Sequence, residues 1–140
     1  MAHNAPVARE SNEEIVRRAF DAVDGRDRAT VFRLLAAGVE WKMVGLWPDQ
    51  PLVRRGREDI WEYVRFLNDQ LPGFTRELIA TEAIGDQVVC RFRVRAEGDG
   101  GAEGVDAEFS SLVRLRDGRI THIENYEDHA EALTDAELRA

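Results

Sequence analysis

The sequence predicts an α+β domain, and three observations predict it. Apolar residues recur at helical spacing over the first half of the chain. Near residue 74 the period falls from about 3.6 to about 2. Turn dipeptides then divide the rest into a meander, so helices and strands are segregated rather than alternating.

Residues 1–10 read as an N-terminal arm, and 11–140 as one domain. Ser11 with Glu14 has the pattern of a capping box, so a helix is expected to start there. Ile15, Val16, Ala19, Phe20 and Val23 form its apolar stripe, and Gly25 ends it. Asp27 can cap a second helix with Val31, Phe32, Leu34 and Leu35 on its buried side, stopped by Gly38. Residues 39–43 read as a strand, and 45–55, with Pro48 and Pro51, as a loop. A third helix follows Gly56. Glu58 and Asp59 in its first turn favour the helix dipole; Ile60, Tyr63, Val64, Leu67 and Leu71 face inward, and Pro72-Gly73 closes it. Four strands are expected over 74–83, 88–96, 105–116 and 119–126, with Gly85-Asp86 and Asp117-Gly118 as turns. Residues 98–104 are glycine-rich but lack the spacing and lysine of a phosphate-binding loop, so they read as a hairpin tip. Asp128 is expected to cap a last helix through Leu138.

Composition narrows the function classes. The net charge is −8, from 27 acidic and 19 basic side chains. That argues against nucleic acid and anionic membrane surfaces as partners. No stretch approaches the roughly 20 apolar residues of a membrane span, and the start has no signal-peptide core. A single cysteine, Cys90, leaves no internal disulfide and fits a reducing, cytoplasmic setting.

Strand register assigns faces. A two-residue turn at Asp117-Gly118 pairs Leu115 with Ile120, Val113 with His122, Ser111 with Glu124 and Phe109 with Tyr126. In the preceding hairpin, pairing Val88 with Val113, Cys90 with Ser111, Phe92 with Phe109 and Val94 with Ala107 matches both apolar sets. It also sets Arg93 beside Glu108 and Arg95 beside Asp106 on the other face. The apolar face is expected to meet the helices around a pocket lined by Trp41, Met43, Tyr63, Phe92, Phe109, Ser111 and Tyr126. Glu124 would then sit in an apolar wall, where desolvation raises a carboxyl pKa and suits proton transfer, with His122 as relay. The alternatives are a solvated or interface carboxylate and a structural histidine. Trp47 and Trp61 are further tryptophans, the latter off its helix's buried stripe. His122, Glu124, Asp128 and His129 are close in sequence but lack a metal-ligand spacing, and the sequence implies no cofactor. On the opposite face Val89, Leu112 and Ile123 among charges suggest a two-fold homodimer through the sheet.

Several segments together resemble a known family. They are the first helix with Gly25-Arg26-Asp27 after it, the strand Val39-Glu40-Trp41, the helix entry Arg55-Gly56-Arg57-Glu58-Asp59-Ile60, and the ending from Val113 through Asp117-Gly118 to Tyr126 and Asp128. In order and spacing they resemble SnoaL-like and ketosteroid isomerase-like domains over roughly residues 11–133. The resemblance implies the cone-shaped half-barrel of nuclear-transport-factor-like proteins, a curved antiparallel sheet wrapped by three helices, often paired through the sheet. It also implies where catalytic groups belong. The tyrosine, aspartate base and acidic donor of ketosteroid isomerases fall at Ala19, Lys42 and Ser110 or Ser111, so that set is missing; Tyr63 matches an aromatic pocket position. The water-holding set of limonene epoxide hydrolases falls at Trp41, Met43, Arg91, Arg93 and Asn125, where only the arginine at Arg91 survives. That alignment turns Arg91, Arg93 and Asn125 inward, against the register above; a bulge could reconcile the two. Three functions stay open: a cofactor-independent acid–base enzyme (isomerase, cyclase or dehydratase) on a small carbonyl compound, a non-catalytic module binding a small apolar molecule, and a dimerisation or interaction module.

Overall fold

A computed structural model describes residues 10–44, 50–71, 73–96 and 104–140. The expected features of residues 1–9, of Trp47 and Pro48, and of most of the tip at 98–104 lie outside that set. The elements run α1 (Asn12–Asp24), α2 (Arg28–Leu34), β1 (Leu35–Lys42), β2 (Val53–Arg55), α3 (Arg57–Gln70), β3 (Thr75–Ile84), β4 (Gln87–Ala96), β5 (Val105–Arg116), β6 (Arg119–Tyr126) and α4 (His129–Leu138). The six strands form one curved open sheet in the order β2-β1-β6-β5-β4-β3.

The helix signals act as their chemistry dictates. Ser11 and Glu14 close a capping box on α1, and the Asp27 and Asp128 carboxylates accept the Thr30 and Ala130 N–H at the starts of α2 and α4. Gly56, ahead of α3, has φ +85°, a left-handed conformation that costs a side chain more than it costs glycine. Two strand features differ from the sequence expectation. β1 begins at Leu35, directly after α2, so Gly38 lies inside a strand rather than stopping a helix. β2 pairs Arg54 with Trp41 within the segment expected to be loop, and three residues are too few to show a period. β1 and β6 run parallel while every other pair is antiparallel.

The middle of the sheet is buried on both sides. Its inner face meets α1, α2 and α3 through Val16, Phe20, Val31, Ile60 and Val64, packed on Val88, Cys90, Phe92, Val113 and Ile123. Its outer face meets α4, whose Ala132 and Ala136 pack on Val89, Leu112 and Tyr126. This corrects the patch expected to support a homodimer. Val89 and Leu112 are covered by the chain's own last helix, and Ile123 points to the opposite side.

The hairpin of β4 and β5 has the expected register throughout. The hairpin of β5 and β6 does not. Leu115 opposes Ile120, but Arg114 opposes His122, so Thr121 is an extra residue on β6. Its hydroxyl donates to the Arg114 carbonyl at 3.2 Å, which holds the bulge in place. Beyond it every β6 side chain is reversed: Ile123 and Asn125 face inward with Val113 and Ser111, and His122, Glu124 and Tyr126 face outward.

Inserting one alanine between His122 and Ile123, with the bulge kept, would turn Glu124 into the core and Ile123 out of it. Burying a carboxylate and exposing an isoleucine together cost several kcal/mol. The insertion variant is expected to lose its cooperative urea transition, whereas Thr121→Ser, which keeps both the residue count and the hydroxyl, is expected to unfold within about 1 kcal/mol of the parent.

Candidate functional site

The polar groups inside the cone are few and tightly bonded. Trp41 on β1 donates its indole Nε1–H to Asn125 Oδ1 at 3.2 Å, and Ser111 Oγ donates to the same oxygen at 2.7 Å. An indole nitrogen can only donate, so the Asn125 amide orientation is fixed by chemistry. The Trp41 ring meets Tyr63 edge-on at 5.4 Å. Further along the wall Phe92 stacks on Phe109 at 5.1 Å and takes the edge of Phe20 at 4.7 Å.

Beside this wall lies a cavity of about 250 Å³, lined by the apolar Val23, Trp41, Val64, Leu67 and Phe74 and by the polar Asp24, Asn68, Thr75 and Arg76. Helix α1 supplies Val23 and Asp24 from its last turn, α3 supplies Val64, Leu67 and Asn68, and β3 supplies Thr75 and Arg76. Arg76 Nη2 donates to Asp24 Oδ1 at 2.7 Å. Burial lowers the Arg76 pKa despite Asp24, and desolvation raises that of Asp24 despite Arg76. Cys90, buried between α1 and the sheet, has its thiol pushed up to about 12, chiefly by desolvation, which leaves it inert. Among the described residues no three His, Cys, Asp or Glu side chains gather where they could hold a metal ion.

The expected site residues divide by the bulge. Trp41 lines the cavity. Met43, Tyr63, Phe92 and Ser111 are buried around the inner wall, and Phe109 is half-buried against it. Glu124, His122 and Tyr126 are corrections, because the reversed strand carries all three to the outer face. Glu124 opposes Leu112, with its carboxylate 3.9 Å from Lys42 Nζ. His122 lies against Thr121 Oγ1 at 3.0 Å and 3.7 Å from Glu40. Tyr126 packs under α4 and donates its hydroxyl to Asp135 at 2.5 Å; burial first, then Asp135 and Glu124, raise its pKa. The polar row of Cys90, Ser111 and Glu124 therefore does not form, and Asn125 stands where Glu124 was expected. The alignment with epoxide hydrolases placed Asn125 correctly. It did not place Arg91 and Arg93, which lie outside and pair with Glu108 and Asp106. Trp61 packs edge-on to Phe32.

Sequence reasoning missed Asp24 and Arg76, yet both carry a signal. Arg76 is in phase with Leu78 on an alternating strand, and Asp24 follows Phe20 by four residues on the apolar stripe of α1. Each is a charge placed where the pattern calls for a hydrophobe.

The model of the SnoaL-like domain family matches residues 16–123. No curated protein matches the sequence. Among solved structures, the chain is similar to an NTF2-like protein from Burkholderia thailandensis, with 23% identity over 91% of this chain and 98% of that one and a TM-score of 0.75. It is also similar to TerC co-crystallised with polyporic acid, at 20% identity, 90% and 98% coverage and a TM-score of 0.73. A proposed SnoaL-like polyketide cyclase from a Jannaschia species matches at 19% identity, 97% and 98% coverage and a TM-score of 0.71. At these identities the likeness concerns the fold.

Asn125→Ala would strand two buried donors, Trp41 Nε1–H and Ser111 Oγ–H. A loss of about 2 to 4 kcal/mol in chemical denaturation is expected. Adding Ser111→Ala removes one stranded donor, so the double variant is expected to be more stable than Asn125→Ala alone.

Proposed function

We propose that this chain, which belongs to the SnoaL-like domain family, binds a small, largely apolar molecule in the cavity between α1, α3, β1 and β3. The observation that carries this reading is the cavity itself: about 250 Å³, lined by Trp41, Phe74 and aliphatic side chains of two helices together with Asp24, Asn68, Thr75 and Arg76. Trp41 is held by Asn125 rather than free to turn, so the wall is preorganised and little order is lost on binding. A protein of the same fold, TerC, has been crystallised with polyporic acid, which supports a ligand-binding use of this architecture.

A bicyclic neutral probe tests it. A saturating concentration of 2-naphthamide, about 100 times its dissociation constant, is expected to stabilise the fold by about 2.7 kcal/mol in thermal unfolding. Leu67→Phe narrows the cavity and is expected to weaken the probe at least tenfold. A parent protein whose melting does not respond overturns the reading.

One observation favours a second reading, a cofactor-independent acid–base enzyme acting on a small carbonyl compound. Asp24 lines the cavity, and partial desolvation holds its carboxyl above the ordinary range, the direction that suits a proton-transfer group. If so, the protein accelerates deuterium exchange at the acidic carbon of 2-tetralone, followed by NMR, and Asp24→Asn abolishes the acceleration. Equal exchange rates with and without protein leave binding alone as the function.

A further inference from the structure

The polar side chains that line the cavity say more about the ligand than the apolar ones do. Arg76 opposes Val94 on β4 and is two residues from Leu78, so its side chain stands on the inner face. That side chain is only 6% exposed, whereas that of its partner Asp24 is 41% exposed. The guanidinium carbon lies 4.7 Å from the centre of the Phe20 ring and 5.4 Å from that of Phe92. These rings offer cation–π attraction but no hydrogen-bond acceptor in the guanidinium plane. One Nη–H bonds to Asp24, and the buried Nε has no hydrogen-bond partner among the described residues. A guanidinium has five N–H donors in a rigid fork that fits a planar pair of oxygens. A buried cation with a half-exposed counter-ion and an idle donor is under-satisfied at the wall of a cavity.

The other buried arginine differs. Arg54, opposite Trp41, also has an unbonded Nε, but its terminal nitrogens are held by both Asp59 and Gln50, and it does not line this cavity.

We propose that the ligand of this cavity carries an acidic oxygen on a conjugated or aromatic frame, a carboxylate or an ionised enol or phenol, which docks on Arg76 while the frame lies along Trp41 and Leu67. The proposal rests on the cavity being a ligand site, and it adds the charge of the ligand. That sign is diagnostic, because a chain of net charge −8 repels anions at long range. A preference for an acid over its neutral amide must come from a local cation.

The test compares 2-naphthoate with 2-naphthamide by calorimetric titration at pH 7, on the parent, Arg76→Gln and Asp24→Asn. Near-ultraviolet circular dichroism checks that each variant is folded. The parent is expected to bind the acid about tenfold more tightly than the amide. Arg76→Gln should remove that preference, bringing the ratio of the two dissociation constants close to one. Asp24→Asn frees the guanidinium from its carboxylate and should raise the preference for the acid over the amide several-fold; this variant decides the matter if Arg76→Gln does not fold. Equal binding of the two probes by the parent, or a weaker preference for the acid in Asp24→Asn, overturns the proposal and leaves the cavity reading intact. Failure of both probes to bind overturns both.

Discussion

One extra residue on β6 governs the interior of this protein. A strand alternates its side chains strictly, so Thr121 reverses everything that follows it up to Tyr126. The reversal brings Ile123 to the inner core, sets Asn125 under Trp41 and Ser111, and sends Tyr126 outward to meet α4. The hydrogen bond that holds Trp41 and the docking of the last helix both follow from that insertion. Its hold is modest, a single hydroxyl-to-carbonyl bond, but the apolar residues on both sides of the sheet make the alternative register costly.

The two-sided burial explains the character of β5. Ser110, Ser111, Leu112 and Val113 are all buried, although neighbours along a strand face opposite ways. A strand covered on both faces needs no polar alternation. The two serines are tolerated because each is satisfied on its own side: Ser111 donates to Asn125 inside, and Ser110 shares a 2.6 Å hydrogen bond with His129 Nδ1 outside. The outer helix is further tied by Gln87 Nε2 to the Ala136 carbonyl and by Tyr126 to Asp135.

Much of the fold was legible because its signals are local. The capping box at Ser11, the cap at Asp27, the turn at Asp117-Gly118 and the switch from helical to alternating periodicity each involve a few adjacent residues, and the structure follows them. β2 was not legible, since three residues in a proline-containing segment carry no period. The candidate site was half legible. Trp41, Tyr63, Phe92 and Ser111 follow from alternation on strands and helices whose register is regular. Glu124, His122 and Tyr126 do not, because a bulge is fixed by packing on both faces and leaves no mark in the run Arg119 to Tyr126. The resemblance to epoxide hydrolases carried the inward position of Asn125, which spacing had missed, yet misplaced Arg91 and Arg93, which spacing had right. Arg76 and Asp24 lie 52 positions apart, so their pairing is invisible until the fold joins them.

The position of α4 after every strand has a consequence for synthesis. Every strand precedes it, so the inner face can be closed by α1, α2 and α3 while the last segment is still to be made. Val89 and Leu112 then wait uncovered, on a finished sheet, for the ten residues from His129 to Leu138. A chain emerging from the ribosome passes through a stage in which its outer surface is adhesive, and release of the final helix ends it. A chain that stopped before His129 would stay at that stage, with the interior built and the exterior sticky.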